Sequence, residues 1–353
     1  MKVRRILSAV AILGTAALSL TACDPPMPPE VAAALAEQTY TCIQGDSKIT
    51  SDSAMTDLVT GWADSLAYSC VDPDPVMTLT PTDVDKDAQI VLSDYKPDCT
   101  VSNSVPIAVD AGAFVYTESD LGTLNLSPKS MAGILTGSIT NWNQLSSDNA
   151  GYQLPNLPLV LSPKADTLAL KSITDYLAAQ GITLPATLKV QPVDNLDNTF
   201  ASTLPEGAMA IVPNSFAVSM GLYPANIYLG VDSAKQDIIA TADVSGIQSA
   251  STQWENITSG SSVSVQLNSS KKPIAPEGSD VAPTPYQMIY PVNLYVCGAD
   301  ALLPRAIARF LLRLDSQGAL AASNYAPLPE STRIQALVSI SKGLPTPKPT
   351  PTN

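Results

Sequence analysis

The chain has 353 residues, 45% of them apolar and only 5% aromatic, and its 32 acidic against 19 basic side chains leave a net charge of −13. That balance disfavours nucleic acid and anionic surfaces, which are held by clustered Lys and Arg. With no His anywhere and no G-x-S-x-G elbow around a serine, the sequence reads as a binding protein and not an enzyme.

In chain order, Lys2, Arg4 and Arg5 precede an apolar run from Ile6 to Leu20, and Leu20-Thr21-Ala22-Cys23 closes it. This is the layout of a bacterial secretory signal ending in a lipobox, too short to be a permanent membrane helix. The expectation is that residues 1–22 are removed and the Cys23 thiol carries a diacylglyceryl group, with several acyl (palmitate-like) chains because one chain anchors only marginally. The mature protein is then exported, lipid-anchored at the outer face of the bacterial cell membrane, and without a spanning segment. Residues 23–40 include a Pro-rich stretch from Asp24 to Glu30, read as a stiff stalk, and residues 344–353 repeat Pro and Thr and read as a disordered tail. Roughly 330 residues remain after the signal, more than one core usually organises, so two lobes are expected.

Between stalk and tail, short apolar runs alternate with helical patterns, the mark of α/β layering. A short helix is predicted over Val31 to Gln38 and a strand over Tyr40 to Ile43. Ser51-Asp52-Ser53 offers cap chemistry to a helix whose apolar face is Met55, Leu58, Val59, Trp62 and Leu66. Strands follow at Val76 to Leu79 and Gln89 to Leu92, the second ending at Ser93-Asp94, and then a long extended run from Pro106 to Tyr116. Ser127-Pro128 starts a helix. Leu157 to Leu161 reads as strand and Asp166 or Thr167 as the start of a helix through Leu177. Ala208 to Val212 is strand, Ser215 to Met220 helix, Asp243 to Thr258 helix, Met288 to Cys297 strand, Pro304 to Leu314 an apolar helix, and Arg333 to Ile340 the last helix.

Besides Cys23 there are four cysteines, in a compartment where disulfides persist. Cys42 and Cys70 flank one strand-helix unit and are paired on that ground, leaving Cys99 with Cys297. Zinc is the rival reading, disfavoured because there is no His and no C-x-x-C pair. Asp83, Asp85 and Asp87 have a faint calcium-like spacing, but without the turn Gly and terminal Glu of a calcium loop they read as a solvated face. No metal and no cofactor are expected.

Several stretches, in order, resemble the phosphate-binding protein of phosphate ABC transporters, of the type II periplasmic-binding-protein superfamily. The most specific is Ser130 to Asn143, similar to that family's helix followed by G-x-I-x-x-W-[ND], with Trp142 as its tryptophan. Val105 to Tyr116 resembles the hinge strand, Ser93-Asp94-Tyr95-Lys96-Pro97 the S-D-x-P loop with one extra residue, and Glu206 to Val212 the G-A-I-G-Y-V strand. Tyr290-Pro291, Ala306 to Leu314, Gly318 and Tyr325 to Pro329 resemble the closing segment. The resemblance implies an α/β, two-lobed fold with a two-strand hinge: lobe 1 from 41–105 plus 296–343, and lobe 2 from 106–295.

It also implies a ligand set. Ser51 or Ser53 correspond to the donors after the first strand; as plain N-caps they have a structural use as well. Ser93 and Asp94 correspond to S-D, and Ser162, Lys164, Asp166 and Thr167 to the R-S-D-G-S-G-T motif. Here the motif's Arg has become Ser162 and its glycines are gone, and the family's Gly-Ser-Gly helix start has no counterpart, so weakened phosphate binding is expected. Trp62 and Trp142 are expected to be buried. The function implied is a monomeric, lipid-anchored solute-binding protein that captures a small anion, phosphate first, for an ABC permease. The alternative is a non-transport lipoprotein with a degenerate cleft, acting as an envelope sensor or interaction module.

Overall fold

The computed structural model describes residues 39–349 except 72, 73, 84, 118–121, 195, 277, 278 and 347. The signal, Cys23, the helix expected over 31–38, nearly all of the stalk and the last tail residues lie outside the described residues. Among the described residues no helix is long and apolar enough to cross a membrane.

The expected first strand shrinks to Thr39–Tyr40, paired with Lys348–Pro349. The first strand of the main sheet is β1 (Gly45–Ser51), which the sequence concealed because it buries Ser47 and Thr50 beside Ile49 in place of an aliphatic run. A 3-10 turn at Ser53–Met55 leads into α1 (Thr56–Ser69). The helix starts later than the expected cap residues: Met55 is its N-cap residue and makes no side-chain cap bond, and the Met55 N–H donates to the Asp52 carbonyl at 2.9 Å. The apolar face of α1 is as expected, with Leu58, Val59, Trp62 and Leu66 buried.

The chain continues through β2 (Met77–Pro81), β3 (Ile90–Ser93), β4 (Val101–Tyr116) and α2 (Pro128–Thr136), whose N-cap Ser127 accepts from the Ser130 N–H. Then come β5 (Val160–Asp166), α3 (Thr167–Ala179), β6 (Gln191–Val193), β7 (Ala208–Pro213) and α4 (Asn214–Ser219). The strand expected at Leu157 to Leu161 is displaced to β5, so the stretch from Ser162 to Asp166 is strand and not loop. The helix expected from Asp243 to Thr258 stops at Ser251; Trp254–Ser259 and Ser262–Leu267 form a hairpin instead. Its β-branched alternation and the turn Gly260, at φ +62°, favour strand over helix. Strands at Asn226–Val231 and Asp237–Ala240 were not foreseen. The fold closes with β8 (Ile289–Cys297), α5 (Leu302–Leu311) and α6 (Glu330–Ile340).

The main sheet has the order β2-β1-β3-β8-β4-β7-β5-β6, with Tyr223–Pro224 added beside β4. β1, β2 and β3 run parallel on one side, and β5, β6 and β7 on the other. Between them β4 and β8 run antiparallel, shared by both halves, which is the two-strand hinge. The first part of β4 pairs with β8, and Gly112 to Tyr116 pairs with β7. A bulge in β4 falls where Pro106, which has no N–H to give, opposes Asn293. The carbonyl of the extra residue, Ile107, accepts from the Gln317 side-chain amide at 2.9 Å, so the bulge leaves no orphan there. α3 packs directly on β4 at Gly112, where a Cβ would lie 2.3 Å from the Ala169 carbonyl oxygen.

Both expected disulfides are present. Cys42–Cys70 ties the entry of the chain to the end of α1, and Cys99–Cys297 ties the approach to β4 to the end of β8. Trp62 and Trp142 are buried and donate to the carbonyls of Ser316 and Gly207.

Candidate functional site

The carboxyl ends of β1, β3, β5 and β7 converge on one cavity of about 420 Å³. Crevices outside the carboxyl ends of parallel strands are where open α/β sheets bind ligands. A larger cavity of about 580 Å³ lies beside α1, but its Asp57 and Asp315 are solvated and no buried titratable group faces it. The strand-end cavity differs in that respect: three carboxyl groups are gathered at or just behind it.

Asp166 ends β5 and caps α3. Its Oδ1 accepts from the N–H groups of Leu168 at 3.0 Å and Ala169 at 2.9 Å, and its Oδ2 accepts from the Tyr95 hydroxyl at 2.8 Å. Burial raises this carboxyl above its ordinary range, while the Ala169 N–H and the Tyr95 hydroxyl oppose the shift. Asp110, inside β4, accepts from the Ala111 N–H at 2.7 Å and from both the N–H and the hydroxyl of Ser215, at 3.1 and 2.5 Å. Burial pushes it up to about 6 despite those donors, with Asp166 adding to the shift.

Asp94, just past β3, is the exception. Its Oδ1 is buried, and its one candidate donor is the Tyr290 hydroxyl, which is buried and has no other partner. Burial first, then the charges of Asp110, Asp52 and Asp166, hold its carboxyl well above the usual range, with the Tyr290 hydroxyl working against them. Tyr290 and Tyr325 are themselves raised by burial and by the charge of Asp110, so both keep their protons.

Among the described residues no Lys or Arg lines the cavity. The buried arginines serve elsewhere: Arg305 donates to the Ile340 carbonyl and Arg333 to the Leu312 carbonyl, fastening the C-terminal helices. The cavity therefore combines Asp52, Asp83, Asp94 and Asp166 with the rings of Tyr95, Phe216 and Tyr325 and the hydroxyls of Ser51 and Ser215.

Of the residues singled out in the sequence, Ser51, Asp94 and Asp166 meet here. Ser53 opens the 3-10 turn beside them. The other four are not among the lining residues. The Ser93 hydroxyl accepts from the Tyr95 N–H at 3.1 Å, and the Ser162 hydroxyl bonds within its own strand to Lys164. Lys164 is exposed and its charge acts on Asp197, while Thr167 is the half-buried first residue of α3. Asp85 belongs to the 3-10 turn Asp85–Asp87, and Asp87 pairs with Lys48 at 3.6 Å. Among the described residues no group of three His, Cys, Asp or Glu side chains is arranged to hold a metal ion.

Sequence reasoning missed Tyr95, Asp110, Ser215 and Tyr325. Asp110 had a usable signal, since a lone charge inside the apolar run Pro106 to Tyr116 is rarely buried without a partner.

A family model described as a PBP superfamily domain matches residues 42–313. No curated protein matches the chain in sequence. Among solved structures, the ancestral soluble variant of the human phosphate binding protein is 15% identical with a TM-score of 0.53, covering 82% of this chain and 92% of its own. PfluDING, a high-affinity periplasmic phosphate-binding protein bound with phosphate, is 13% identical with a TM-score of 0.52, covering 83% and 93%. A human phosphate binding apolipoprotein is 14% identical with a TM-score of 0.51, covering 82% and 93%. At such identities the likeness is one of fold.

Proposed function

The chain belongs to the PBP superfamily and has its two-lobed type II fold, and from that premise we propose that it is an extracytoplasmic solute-binding protein that captures a small ligand in the strand-end cavity and presents it to an ABC permease. The observation that carries this reading is the cavity itself, built from strand ends on both sides of the β4–β8 pair, with Asp94 and Asp166 among its lining residues. Residues 41–105 plus 296–343 and residues 106–295 are the two bodies that close on the ligand. Cys23 tethers the protein by lipid to the outer face of the membrane, which raises the concentration of captured solute at the permease. The protein acts as a monomer and performs no chemistry on its ligand.

Phosphate is the first solute to try, because a solved relative of the same fold holds it. The Ser51 hydroxyl and Asp94 in its protonated form are the donors it would meet. Equilibrium dialysis of labelled phosphate against the purified chain, with solution scattering to read closure, tests the reading. Saturable retention with compaction supports solute capture; no solute of any charge class causing compaction would remove it.

A second reading, a non-transport lipoprotein serving as an envelope sensor or interaction module, has one observation in its favour. The N–H groups of Leu168 and Ala169 at the start of α3, beside the residues that correspond to the family's R-S-D-G-S-G-T motif, are already taken by Asp166.

A further inference from the structure

Resting on the solute-capture reading, we infer that the ligand of this cleft carries a protonated amine, which sits against Asp94 among the surrounding carboxylates and aromatic rings. Three independent features lead there.

The first is what the cavity lacks. A bound oxyanion needs cations or free N–H groups. Here, among the described residues, no Lys or Arg lines the walls, the Asp166 carboxylate occupies the N–H groups of Leu168 and Ala169 at the start of α3, and Asp110 occupies the N–H and hydroxyl of Ser215. Two of the protein's own carboxylates thus sit where incoming anions would find their donors.

The second is what remains unpaired. A buried acceptor without a donor costs on the order of 1–3 kcal/mol, more if it is charged, and native structures rarely leave one without a reason. Asp94 Oδ1 is close to that state, with only the neutral Tyr290 hydroxyl as a candidate donor. Among the described residues no metal-holding cluster exists to neutralise it. An ammonium group is a stronger donor than that phenol, and its charge favours ionisation of a carboxyl that burial and its neighbours otherwise keep neutral.

The third is the aromatic part of the lining. Tyr95, Phe216 and Tyr325 line the same space, and ring faces attract cations by about 0.5–2 kcal/mol each. Carboxylates and aromatic rings in one cavity are the surroundings that select an organic ammonium over a hydrated inorganic ion. A plain amine and a zwitterion that also bears an acidic group share this chemistry, and the test separates them.

Calorimetric titration of the full chain at pH 7 is made with ethanolamine, phosphoethanolamine, inorganic phosphate and ethylene glycol. Ethanolamine or phosphoethanolamine is expected to bind and ethylene glycol, which has the size without the charge, is expected not to. Asp94 should ionise as the amine enters, so heats measured in buffers of different ionisation enthalpy should report proton release. Asp94→Asn should weaken amine binding at least about 30-fold. If that variant does not fold, the ethylene glycol comparison and the proton release still decide. Binding of ethanolamine alone identifies a plain cation, and of phosphoethanolamine alone a zwitterion. Phosphate binding with no amine binding overturns the inference and leaves solute capture standing. No binding by any probe overturns the inference, and unchanged scattering on top of that removes solute capture too.

Discussion

The Tyr95 hydroxyl donates to Asp166 Oδ2 at 2.8 Å, joining the end of β3 to the end of β5 across the cleft. Those strands lie on opposite sides of the β4–β8 pair, so one hydrogen bond holds both halves of the sheet to a common spacing. Burial and the charge of Asp166 raise the Tyr95 phenol, which stays a donor throughout the physiological range. Tyr95→Phe should remove this bond and leave the α3 cap intact, because the cap uses the other carboxyl oxygen. The expected result is a larger radius of gyration for the ligand-free protein in solution scattering. The stability loss should be modest, about 1.5 kcal/mol for a charge-assisted bond. An unchanged scattering curve would mean that packing, and not this bond, sets the spacing.

Acid should stabilise the fold around the cavity. Asp110 is raised to about 6 from an ordinary 3.8, and Asp94 and Asp166 are raised as well. Between the unfolded and folded values the native state holds more protons than the unfolded chain, so stability falls as pH rises through that window. For Asp110 the loss from pH 4 to pH 7 is on the order of 3 kcal/mol. Thermal unfolding should therefore show a higher midpoint at pH 5 than at pH 7.5, and Asp110→Asn should flatten that slope. A midpoint that rises with pH would mean that Asp110 is already ionised and stabilised by its three donors.

The two disulfides should differ in worth. On the chain-entropy view, closing the 198-residue separation between Cys99 and Cys297 stabilises by about 5 kcal/mol and the 28-residue separation between Cys42 and Cys70 by about 3.5 kcal/mol. Urea denaturation of Cys99→Ala/Cys297→Ala beside Cys42→Ala/Cys70→Ala reads the difference. The first pair also fastens the approach to β4 to the end of β8, so its loss should loosen the hinge and broaden ligand-dependent compaction. Equal losses would point to native-state contacts outweighing loop length.

Much of this arrangement was legible in the chain. The long strand ending at Tyr116, the returning strand to Cys297, both disulfide pairs and the helix with Leu58, Trp62 and Leu66 on one face all follow from apolar period and spacing. The site was legible only where a motif marked it. Asp94 and Asp166 line the cavity, but Lys164, which corresponds to the same motif as Asp166, is exposed to solvent. Ser162, two residues earlier, is buried all the same, because the register of β5 against β7 shifts between Leu161 and Ala165 and breaks the alternation there. Tyr95 and Ser215 had no local signal, because each acts through a partner 71 and 105 residues away. β1 was missed because buried hydroxyls do not look like a core.

Gly112 connects the packing to the site, and its replacement tests whether the cavity depends on how α3 is seated. The residue has no unusual backbone requirement; what it provides is room. An added Cβ would meet the Ala169 carbonyl oxygen at 2.3 Å, the Ala169 Cα at 2.8 Å and the Ser172 hydroxyl at 2.4 Å. Two of these are backbone atoms that no rotamer change can clear, so Gly112→Ala must push α3 away from β4. The overpacking cost is about 1–3 kcal/mol. Because Asp166 caps α3 at its first turn, the displacement should carry that carboxylate away from Tyr95. The variant should thus lose stability in urea denaturation and also resemble Tyr95→Phe in scattering. Combining the two substitutions should produce little further expansion, since both break the same cross-cleft bond. If instead their expansions add, the seating of α3 and the Tyr95 bond control the cleft independently.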